Sequence, residues 1–255
     1  MARFTAVTYG AVCYVVFFLT FLYLVAFLGD FGVARSVGRG VEGPLGQALL
    51  VDTALLLLFS LQHSVMARPR FKVWLTRVVP APVERSTYVL ASSLALILLF
   101  WQWQPLTGVL WHVDDAVGRV LLYALFSLGV ATVLYATFLI SHFDLFGLRQ
   151  VFLYWKGQRY TEKRFMTPSL YKFIRHPLYV GWFTTVWATP FMTTGHLLFA
   201  VVATAYILSA IPLEERDLSR FLGEDYRRYR ARTPMFVPRI GRLRPEPAHT
   251  APRSQ

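Results

Sequence analysis

Charged residues are scarce in this sequence. Aspartate, glutamate, lysine and arginine together make up 16% of its 255 residues, whereas an ordinary soluble domain carries about a quarter. Hydrophobic residues account for 55% of the chain, and the mean hydropathy is +0.45. The composition therefore excludes an ordinary soluble domain and indicates a protein that lies in a lipid bilayer.

Cysteine is nearly absent as well. The single cysteine, Cys13, excludes a disulfide within the chain, and its place in an apolar run predicts a small packing residue. The sequence also lacks C-x-x-C and H-E-x-x-H, two spacings that are typical of metal sites. We therefore predict no metal site.

Long apolar runs are what the sequence has in abundance. The run at 7–29 is too long for the core of a signal peptide and lacks an A-x-A-like cleavage site, so we expect it to remain as a membrane span. Similar runs follow at 46–67, 86–104 and 116–141, each close to the ~20 residues that a helix needs to cross the hydrocarbon. A longer apolar tract at 178–213 is broken at "TPFMTTGH", which predicts a helical hairpin with a tight turn and a short first arm.

These runs predict an all-α polytopic membrane protein. It has four long transmembrane helices, a C-terminal transmembrane helical hairpin and an amphipathic cytoplasmic helix. We expect one integral-membrane domain over 1–238, with a four-helix part at 1–145 and the hairpin and closing helix at 165–238. The Pro- and Arg-rich tail at 239–255 is predicted to be disordered.

The positive charge is concentrated in a few loops. Of the 26 lysines and arginines, 22 lie in 67–86, 141–177 and 214–255. Because basic residues near span ends stay on the cytoplasmic side, we predict a bacterial-type inner (plasma) membrane protein with both termini in the cytoplasm. Basic loops that face the membrane surface account for the net charge of +12. We predict no nucleic-acid binding, because the sequence has neither a basic strand with interleaved aromatic residues nor a recognition-helix pattern.

Polar side chains recur where the predicted spans end on that side. They are Gln62, His63, Arg68, Glu84, Arg85, Tyr88, His142, Asp144, Arg175, His176, Tyr179, Glu214, Glu215 and Arg216. Polar groups near the membrane interior are costly and tend to mark function. Two interpretations stay open: one site shared by five elements, or separate anchors at the membrane interface.

The segment "IRHPLYVG" at 174–181 opens the predicted hairpin. Proline suits the first turn of a helix, so His176 is expected at the cap of a helix that begins at Pro177. The free N–H groups and the dipole of that end favour a carboxylate or phosphate, and Arg175 adds a fixed charge. Tyr179 shares a face with His176, and Gly181 leaves space for a ligand or another helix. The alternative is a simple helix start with interfacial side chains.

The other end of the hairpin carries two carboxylates. Glu214 and Glu215 fall opposite Arg175 and His176 if the hairpin closes. The helix start at Arg175 and His176 would bind the anionic group of a zwitterionic ligand, and the two glutamates would accept hydrogen bonds from its cationic group. The alternative is a set of ion pairs between these glutamates and the surrounding arginines.

Three segments resemble a known superfamily. "RHPLYVG", "EERDL" and "FLGEDYRRYRARTPMFVPR" are similar, in order and spacing, to motifs of the isoprenylcysteine carboxyl methyltransferase and phospholipid methyltransferase superfamily. The resemblance implies S-adenosylmethionine held between the hairpin and the C-terminal helix. The positions that match these motifs and would surround it are Arg175, His176, Tyr179, Gly181, Glu214, Glu215, Tyr226 and Tyr229.

Further segments narrow the resemblance. "FSLQHSVMARPRFK", "ERSTYVL" and "HFDLFGLRQV" are similar to the membrane-bound methanethiol S-methyltransferases, a branch akin to the NnrU-like membrane proteins. This implies methyl transfer from S-adenosylmethionine to the small thiol methanethiol, giving dimethyl sulfide. Two alternatives stay open: a lipid amine or prenylcysteine carboxylate as the methyl acceptor, or a non-catalytic protein that binds haem or quinone through His63 and His142.

Thiol methylation calls for a base, because a thiol attacks as its thiolate. His142 is the first candidate, with Asp144 expected to orient it or balance its charge. His63 is the second candidate, and Tyr88 or Arg85 is expected to polarise the sulfur. An isolated histidine after a span is ordinarily interfacial, so the assignment depends on the neighbouring Asp144 and on the convergence of polar residues at this end of the spans.

Overall fold

The computed structural model describes residues 2–162 and 165–238. Its helices, in chain order, are α1 (Arg3–Gly29), α2 (Leu45–Ala67), α3 (Pro69–Leu75), α4 (Glu84–Gln102), α5 (Ala116–Ile140), α6 (His142–Leu145), α7 (Leu148–Trp155), α8 (Pro177–Trp187), α9 (Thr194–Phe221) and α10 (Glu224–Arg232). Short 3₁₀ turns lie at Ala81–Val83 and Ser169–Lys172, and two strands are present, β1 (Val109–His112) and β2 (Phe191–Thr193).

Five helical segments in the described ranges are long and apolar enough to cross a membrane. They are Arg3–Gly29, Leu45–Ala67, Ala81–Gln102, Ala116–Ile140 and Thr194–Phe221. The first four correspond to the four predicted long spans, and the fifth is the second arm of the hairpin. The predicted all-α polytopic membrane class is therefore confirmed.

The first arm of the hairpin is short. α8 has 11 residues, about 16 Å of helix and roughly half of the hydrocarbon thickness. The chain continues in extended form through β2, which pairs antiparallel with β1. Extended backbone at a membrane needs partners for its N–H and C=O groups, and β1 supplies them. The sequence predicted only a tight turn at this position.

Two glycines bring α8 against α5. A Cβ atom on Gly181 would lie 2.8 Å from the backbone oxygen of Gly129, and one on Gly129 would lie 2.8 Å from the oxygen of Gly181. Only glycine permits this backbone-to-backbone contact, which fixes where the beginning of α8 sits in the bundle.

α9 continues well past its apolar part. It carries Pro212 inside the helix and ends at Phe221, after which Gly223, with a φ of 60°, reverses the chain into α10. The predicted amphipathic helix is thus present, but it is divided at Gly223. The predicted disordered tail at 239–255 lies outside the described residues.

The largest hydrophobic core lies at the other end of the bundle, where α1 and α4 end and α9 begins. Trp103 packs edge-on against Phe27 and Phe199, with ring centroids 5.7 and 6.1 Å away. Its indole N–H donates to the backbone oxygen of Val37 at 3.2 Å. The polar residues singled out by the sequence lie at the opposite end, where α2 finishes and α4 and α8 begin.

Candidate functional site

The predicted polar residues meet at one end of the bundle through contacts between distant segments. Arg68, just after α2, pairs with Asp217 of α9 at 2.8 Å. Arg85 Nε, in the first turn of α4, donates to the backbone oxygen of Leu145 at 2.7 Å. The predicted histidines and tyrosines belong to three clusters, which differ in burial and in hydrogen bonding.

The first cluster joins the two arms of the hairpin and the chain that follows it. It is called the hairpin cluster below and consists of Arg175, His176, Tyr179, Glu214, Glu215 and Arg230.

Glu215 is the centre of the hairpin cluster. Its side chain is only 3% exposed. Oε1 accepts from Arg175 Nε at 2.7 Å and lies 3.0 Å from His176 Nε2, while Oε2 pairs with Arg230 Nε at 2.9 Å. Burying one carboxylate is costly, and these partners offset the cost. Both oxygens of Glu215 are therefore already engaged, as the ion-pair alternative predicted.

Glu214 has a different environment from its neighbour. Successive helical side chains diverge by about 100° around the axis, so Glu214 leaves the ion-pair centre and remains half-buried. Its Oε2 accepts from the Tyr179 hydroxyl at 2.7 Å. Glu214 and Tyr179 thus form a separate, less enclosed part of the hairpin cluster.

The beginning of α8 follows the sequence prediction, since Pro177 is the first helical residue and His176 is the cap. The amide of Arg175 donates to the oxygen of Pro234 at 2.9 Å, and that of His176 donates to the oxygen of Met235 at 3.2 Å. These two N–H groups therefore donate to the chain that follows α10 and are not available to bind an anion, contrary to the sequence expectation.

Tyr226 and Tyr229 hold α10 in place. Tyr226 is 2% exposed, and the Tyr229 hydroxyl donates to the oxygen of Tyr171 at 2.7 Å. Both rings contact Phe165. Burial raises the pKa of both phenols, so they remain protonated.

Gly181 contacts α5. Of the two neighbours that the sequence allowed beside this glycine, a ligand or another helix, the structure has the helix.

The second cluster lies between α2, α4 and α9. It is called the His63 cluster below and consists of Phe59, His63, Tyr88, Ser92 and Tyr206.

The hydrogen bonds of the His63 cluster bring a phenol to the imidazole. Ser92 Oγ donates to the backbone oxygen of Tyr88 at 3.0 Å and lies 3.2 Å from His63 Nδ1. The Tyr88 hydroxyl lies 2.9 Å from His63 Nε2 and 3.1 Å from Nδ1. A neutral imidazole has one basic nitrogen, so in either tautomer the basic nitrogen of His63 is in direct contact with a phenol.

Three members of this cluster were missed by sequence reasoning: Ser92 and two aromatic residues, Phe59 and Tyr206. Tyr206 meets the rings of His63 and Phe59 nearly at right angles, with both centroid distances 6.5 Å. Phe59 stacks against His63 at 5.3 Å. Both lie inside apolar runs, one turn or more from the polar span ends, and nothing in the local pattern separates them from lipid-facing aromatics.

The third cluster surrounds His142, which is 4% exposed. Thr137 Oγ1 gives its proton to the oxygen of Leu134, so it accepts from His142 Nδ1 at 2.8 Å. His142 Nε2 accepts from the Tyr14 hydroxyl at 2.8 Å, and Phe138 stacks on the ring at 4.2 Å. Burial lowers the pKa of His142, so the imidazole is neutral.

Asp144 does not support His142, contrary to the sequence expectation. Its carboxylate accepts from Arg149 at 3.1 Å, from Gln150 at 2.9 Å and from Tyr160 at 3.2 Å. The short helix α6 points the two side chains to different surroundings. The expectation was wrong because the spacing of His142 and Asp144 along the chain brings their backbones close but does not determine where each side chain points.

Asp144 instead lines a cavity of about 790 Å³ at the polar end of the bundle. Arg85 lines the same cavity, and its guanidinium lies 5.0 Å from the centre of the Tyr88 ring. Arg85 therefore connects this opening with the His63 cluster.

The His63 cluster adjoins the hairpin cluster. Tyr206 and Glu214 lie on the same helix, two turns apart, and α2 contacts that helix through Ser64 with Tyr206 and through Arg68 with Asp217. Residues of α2, α4, α8 and α9 thus form one continuous polar region that is joined through α9, and His142 contributes to a cluster of its own.

The geometry does not support a haem held by His63 and His142. Both ring nitrogens of each histidine are hydrogen-bonded within its own cluster. Across residues 2–162 and 165–238, no group of three or more His, Cys, Asp or Glu is arranged to hold a metal ion.

Comparisons with known proteins relate the chain to enzymes. No protein-family model matches it, and no solved structure matches it significantly. It is 52% identical to methanethiol S-methyltransferase of Crocosphaera subtropica over 95% of both chains, and 52% identical to that of Mycobacterium tuberculosis over 93% of this chain and 98% of the relative. Human nurim is a more distant relative, 31% identical over 73% of this chain and 72% of its own. At this identity and coverage, the chain belongs to the methanethiol S-methyltransferase family.

Proposed function

We propose that this protein transfers a methyl group from S-adenosylmethionine to methanethiol and releases dimethyl sulfide. The observation that carries the proposal is the continuous polar region between the hairpin cluster and the His63 cluster. It combines groups for a charged ligand with a base that is hydrogen-bonded to a phenol. The similarity to methanethiol S-methyltransferases over nearly the full chain supports the same reaction.

The hairpin cluster suits a zwitterionic methyl donor. Such a donor has a carboxylate, an ammonium group and hydroxyls, and the cluster offers a guanidinium, an imidazole and the carboxylate of Glu214. When bound, S-adenosylmethionine would supply an electrophilic methyl group on a sulfonium. Glu214, Tyr179 and His176 are the residues of this chain that would bind it, while Glu215 holds Arg175 and His176 in position. Tyr226 and Tyr229 keep α10 closed over the same region.

The His63 cluster suits the activation of a thiol. We assign the base to His63, because His63 adjoins the hairpin cluster and His142 is enclosed by the phenol of Tyr14 and by Phe138. A proton from the thiol would pass to the Tyr88 oxygen as the Tyr88 proton moves to the basic ring nitrogen of His63. The thiolate sulfur then forms its bond to the methyl carbon, and the electron pair of the broken carbon–sulfur bond returns to the donor sulfur.

Arg85 would stabilise the thiolate. Its guanidinium lies over the Tyr88 ring, 5.0 Å from the ring centre. A cation near a thiol favours the ionised form. Because an in-line displacement requires mainly alignment of donor and acceptor, these residues have to position the sulfur as well as activate it.

The location that fits this function is a bacterial-type inner membrane, with the polar end of the bundle and both termini in the cytoplasm. The support is the placement of 22 of the 26 basic residues in loops on one side of the predicted spans. A cytoplasmic site would have direct access to a soluble, charged methyl donor, and the neutral product can leave through the lipid.

The direct test is headspace detection of dimethyl sulfide from membranes that contain the protein, supplied with methanethiol and S-adenosylmethionine. We expect product from the wild type and a loss of about 10²- to 10⁴-fold for His63→Gln, as is typical when a general base is removed. His142→Gln is the matched control and should retain most of the turnover. Absence of product from the wild type contradicts the proposed reaction, and a larger loss for His142→Gln contradicts the assignment of the base.

A further inference from the structure

Three rings of the His63 cluster, those of Phe59, His63 and Tyr206, form a group called the aromatic corner below. The proposed role of His63 as a base does not explain why the other two rings are there. Phe59 and His63 stand nearly parallel, at an interplanar angle of 29°, and Tyr206 stands across both at 69° and 82°. The 6.5 Å centroid distances from Tyr206 are at the long end of the range for aromatic pairs. The three rings thus meet beside the proposed base, with Tyr206 presenting its ring across the other two.

We propose that this corner is a subsite for a sulfonium cation, with Tyr206 as its positioning residue. The inference rests on the proposed function, and it adds which side of the His63 cluster receives the methyl donor. The faces of aromatic rings carry negative potential and attract small organic cations. A sulfonium that bears a methyl group is a ligand of this class.

The two sides of the cluster differ in charge. On the Tyr88 side, Arg85 already lies over the ring and presents a positive charge, which suits a thiolate. On the Tyr206 side, the charge of Arg68, whose Nε donates to the backbone oxygen of Ser64, is offset by Asp217 at 2.8 Å. The anionic acceptor therefore belongs beside Tyr88, and the cationic sulfur beside Tyr206 and Phe59.

Tyr206 also links the aromatic corner to the residues proposed to bind the charged end of the methyl donor. It lies on α9, two turns before Glu214, and its hydroxyl accepts from Ser64 Oγ of α2 at 3.4 Å. One helix would thus hold the charged end of the donor through Glu214 and its sulfonium through Tyr206. In that orientation the methyl group would point towards His63 and Tyr88.

The inference separates two ligands that differ in one charge. S-Adenosylhomocysteine has the same shape as S-adenosylmethionine but carries a neutral thioether in place of the methylsulfonium. An aromatic ring that recognises the cation should contribute to the binding of S-adenosylmethionine and contribute little to that of S-adenosylhomocysteine.

The experiment measures the dissociation constants of both ligands by calorimetry on purified protein in detergent. We expect Tyr206→Leu to weaken S-adenosylmethionine between about 3-fold and 30-fold while changing S-adenosylhomocysteine by less than about 2-fold. Tyr206→Phe keeps the ring and should retain the preference, and Phe59→Leu should lose part of it. Trp101→Leu removes an exposed ring of α4 and is the control for a general loss of aromatic area.

The outcomes distinguish this inference from the function on which it rests. Equal weakening of both ligands, or no change in either, for Tyr206→Leu and Phe59→Leu overturns the sulfonium subsite while dimethyl sulfide formation by the wild type still stands. If the wild type neither binds S-adenosylmethionine nor forms the product, the proposed function fails and the subsite fails with it. Binding of S-adenosylhomocysteine by the variants shows in the same experiment that they are folded.

Discussion

His176 and Glu215 are 39 residues apart in the chain, yet His176 Nε2 lies 3.0 Å from Glu215 Oε1 in a region that is almost fully buried. This contact joins the beginning of α8 to α9. Because Arg175 and Arg230 share the same carboxylate, one side chain holds the two arms of the hairpin and the closing helix together. Glu215 is therefore a structural centre beside the proposed donor site, and Glu214 is the carboxylate that a ligand can reach.

The first prediction concerns this carboxylate. Glu215→Gln leaves Arg175 and Arg230 without their anionic partner, and breaking a buried ion pair costs roughly 3–5 kcal/mol. In a protein of this size, the melting temperature should fall by about 10 °C, measured by thermal unfolding in detergent. The control is Glu224→Gln, which removes a pair with Arg227 that is more than half exposed and should change the melting temperature little. Equal shifts in the two variants would contradict a central role for Glu215.

The second prediction concerns the contact between α5 and α8. Gly181→Ala places a Cβ atom 2.8 Å from a backbone oxygen and 2.9 Å from a backbone nitrogen, neither of which can rotate away. Overpacking of this kind costs about 1–3 kcal/mol, so the unfolding midpoint should fall. Gly46→Ala makes the same change in α2 where nothing lies within 4 Å, and it should be neutral or slightly stabilising. A destabilised Gly46→Ala together with an unaffected Gly181→Ala would show that the helices pack differently.

The third prediction concerns pH and His142. Burial lowers the pKa of the folded imidazole below its ordinary value of 6.5, so below about pH 6.5 the unfolded chain binds the proton more readily. The contribution of His142 to the free energy of unfolding is therefore present above pH 6.5 and is lost as the pH falls, by up to about 1.4 kcal/mol per pH unit. His142→Gln can still donate and accept but does not titrate. Denaturant unfolding at pH 7 and pH 5 should show a smaller loss for the variant than for the wild type, and an identical loss would exclude a buried neutral His142.

The fourth prediction concerns the proton path. Tyr88→Phe keeps the ring next to His63 but removes the hydroxyl that contacts Nε2. Turnover at saturating methyl donor should fall by at least about 10-fold, and the loss should shrink as the pH approaches the pKa of the thiol, because solution then supplies the thiolate. Thr87→Ala, on the same helix and bonded to Tyr9, is the control. A loss that is the same at every pH would show that the Tyr88 hydroxyl plays no part in proton transfer.

The fifth prediction concerns orientation. Reporter fusions at Gly40 and Asp114 should behave as periplasmic, since the loops that contain them are poor in lysine and arginine compared with the loops at the polar end. Fusions after residues 77 and 158 should behave as cytoplasmic. Cytoplasmic signals at Gly40 and Asp114 would place the candidate site on the wrong side of the membrane for a soluble methyl donor.

Much of the fold was determined by the sequence alone. Each apolar run was long enough to span the hydrocarbon and had to bond its backbone within itself, so the four long helices and the second hairpin arm followed from local composition. Proline at the helix start likewise set the beginning of α8 and placed His176 at its cap. The strand pair between β1 and β2 did not follow, because it depends on two segments about 80 residues apart meeting at the same depth.

The assignment of side chains to clusters was decided only by tertiary structure. Asp144 follows His142 by two residues, yet His142 bonds to Tyr14, which is 128 residues away, and Asp144 bonds elsewhere. Tyr206 carries no polar signal in its own segment and gains its place only because α9 packs against α2. Spacing along a chain determines which residues share a span end, but the direction of a side chain depends on helix rotation, and helix rotation is set by packing between segments such as the contact of Gly129 with Gly181.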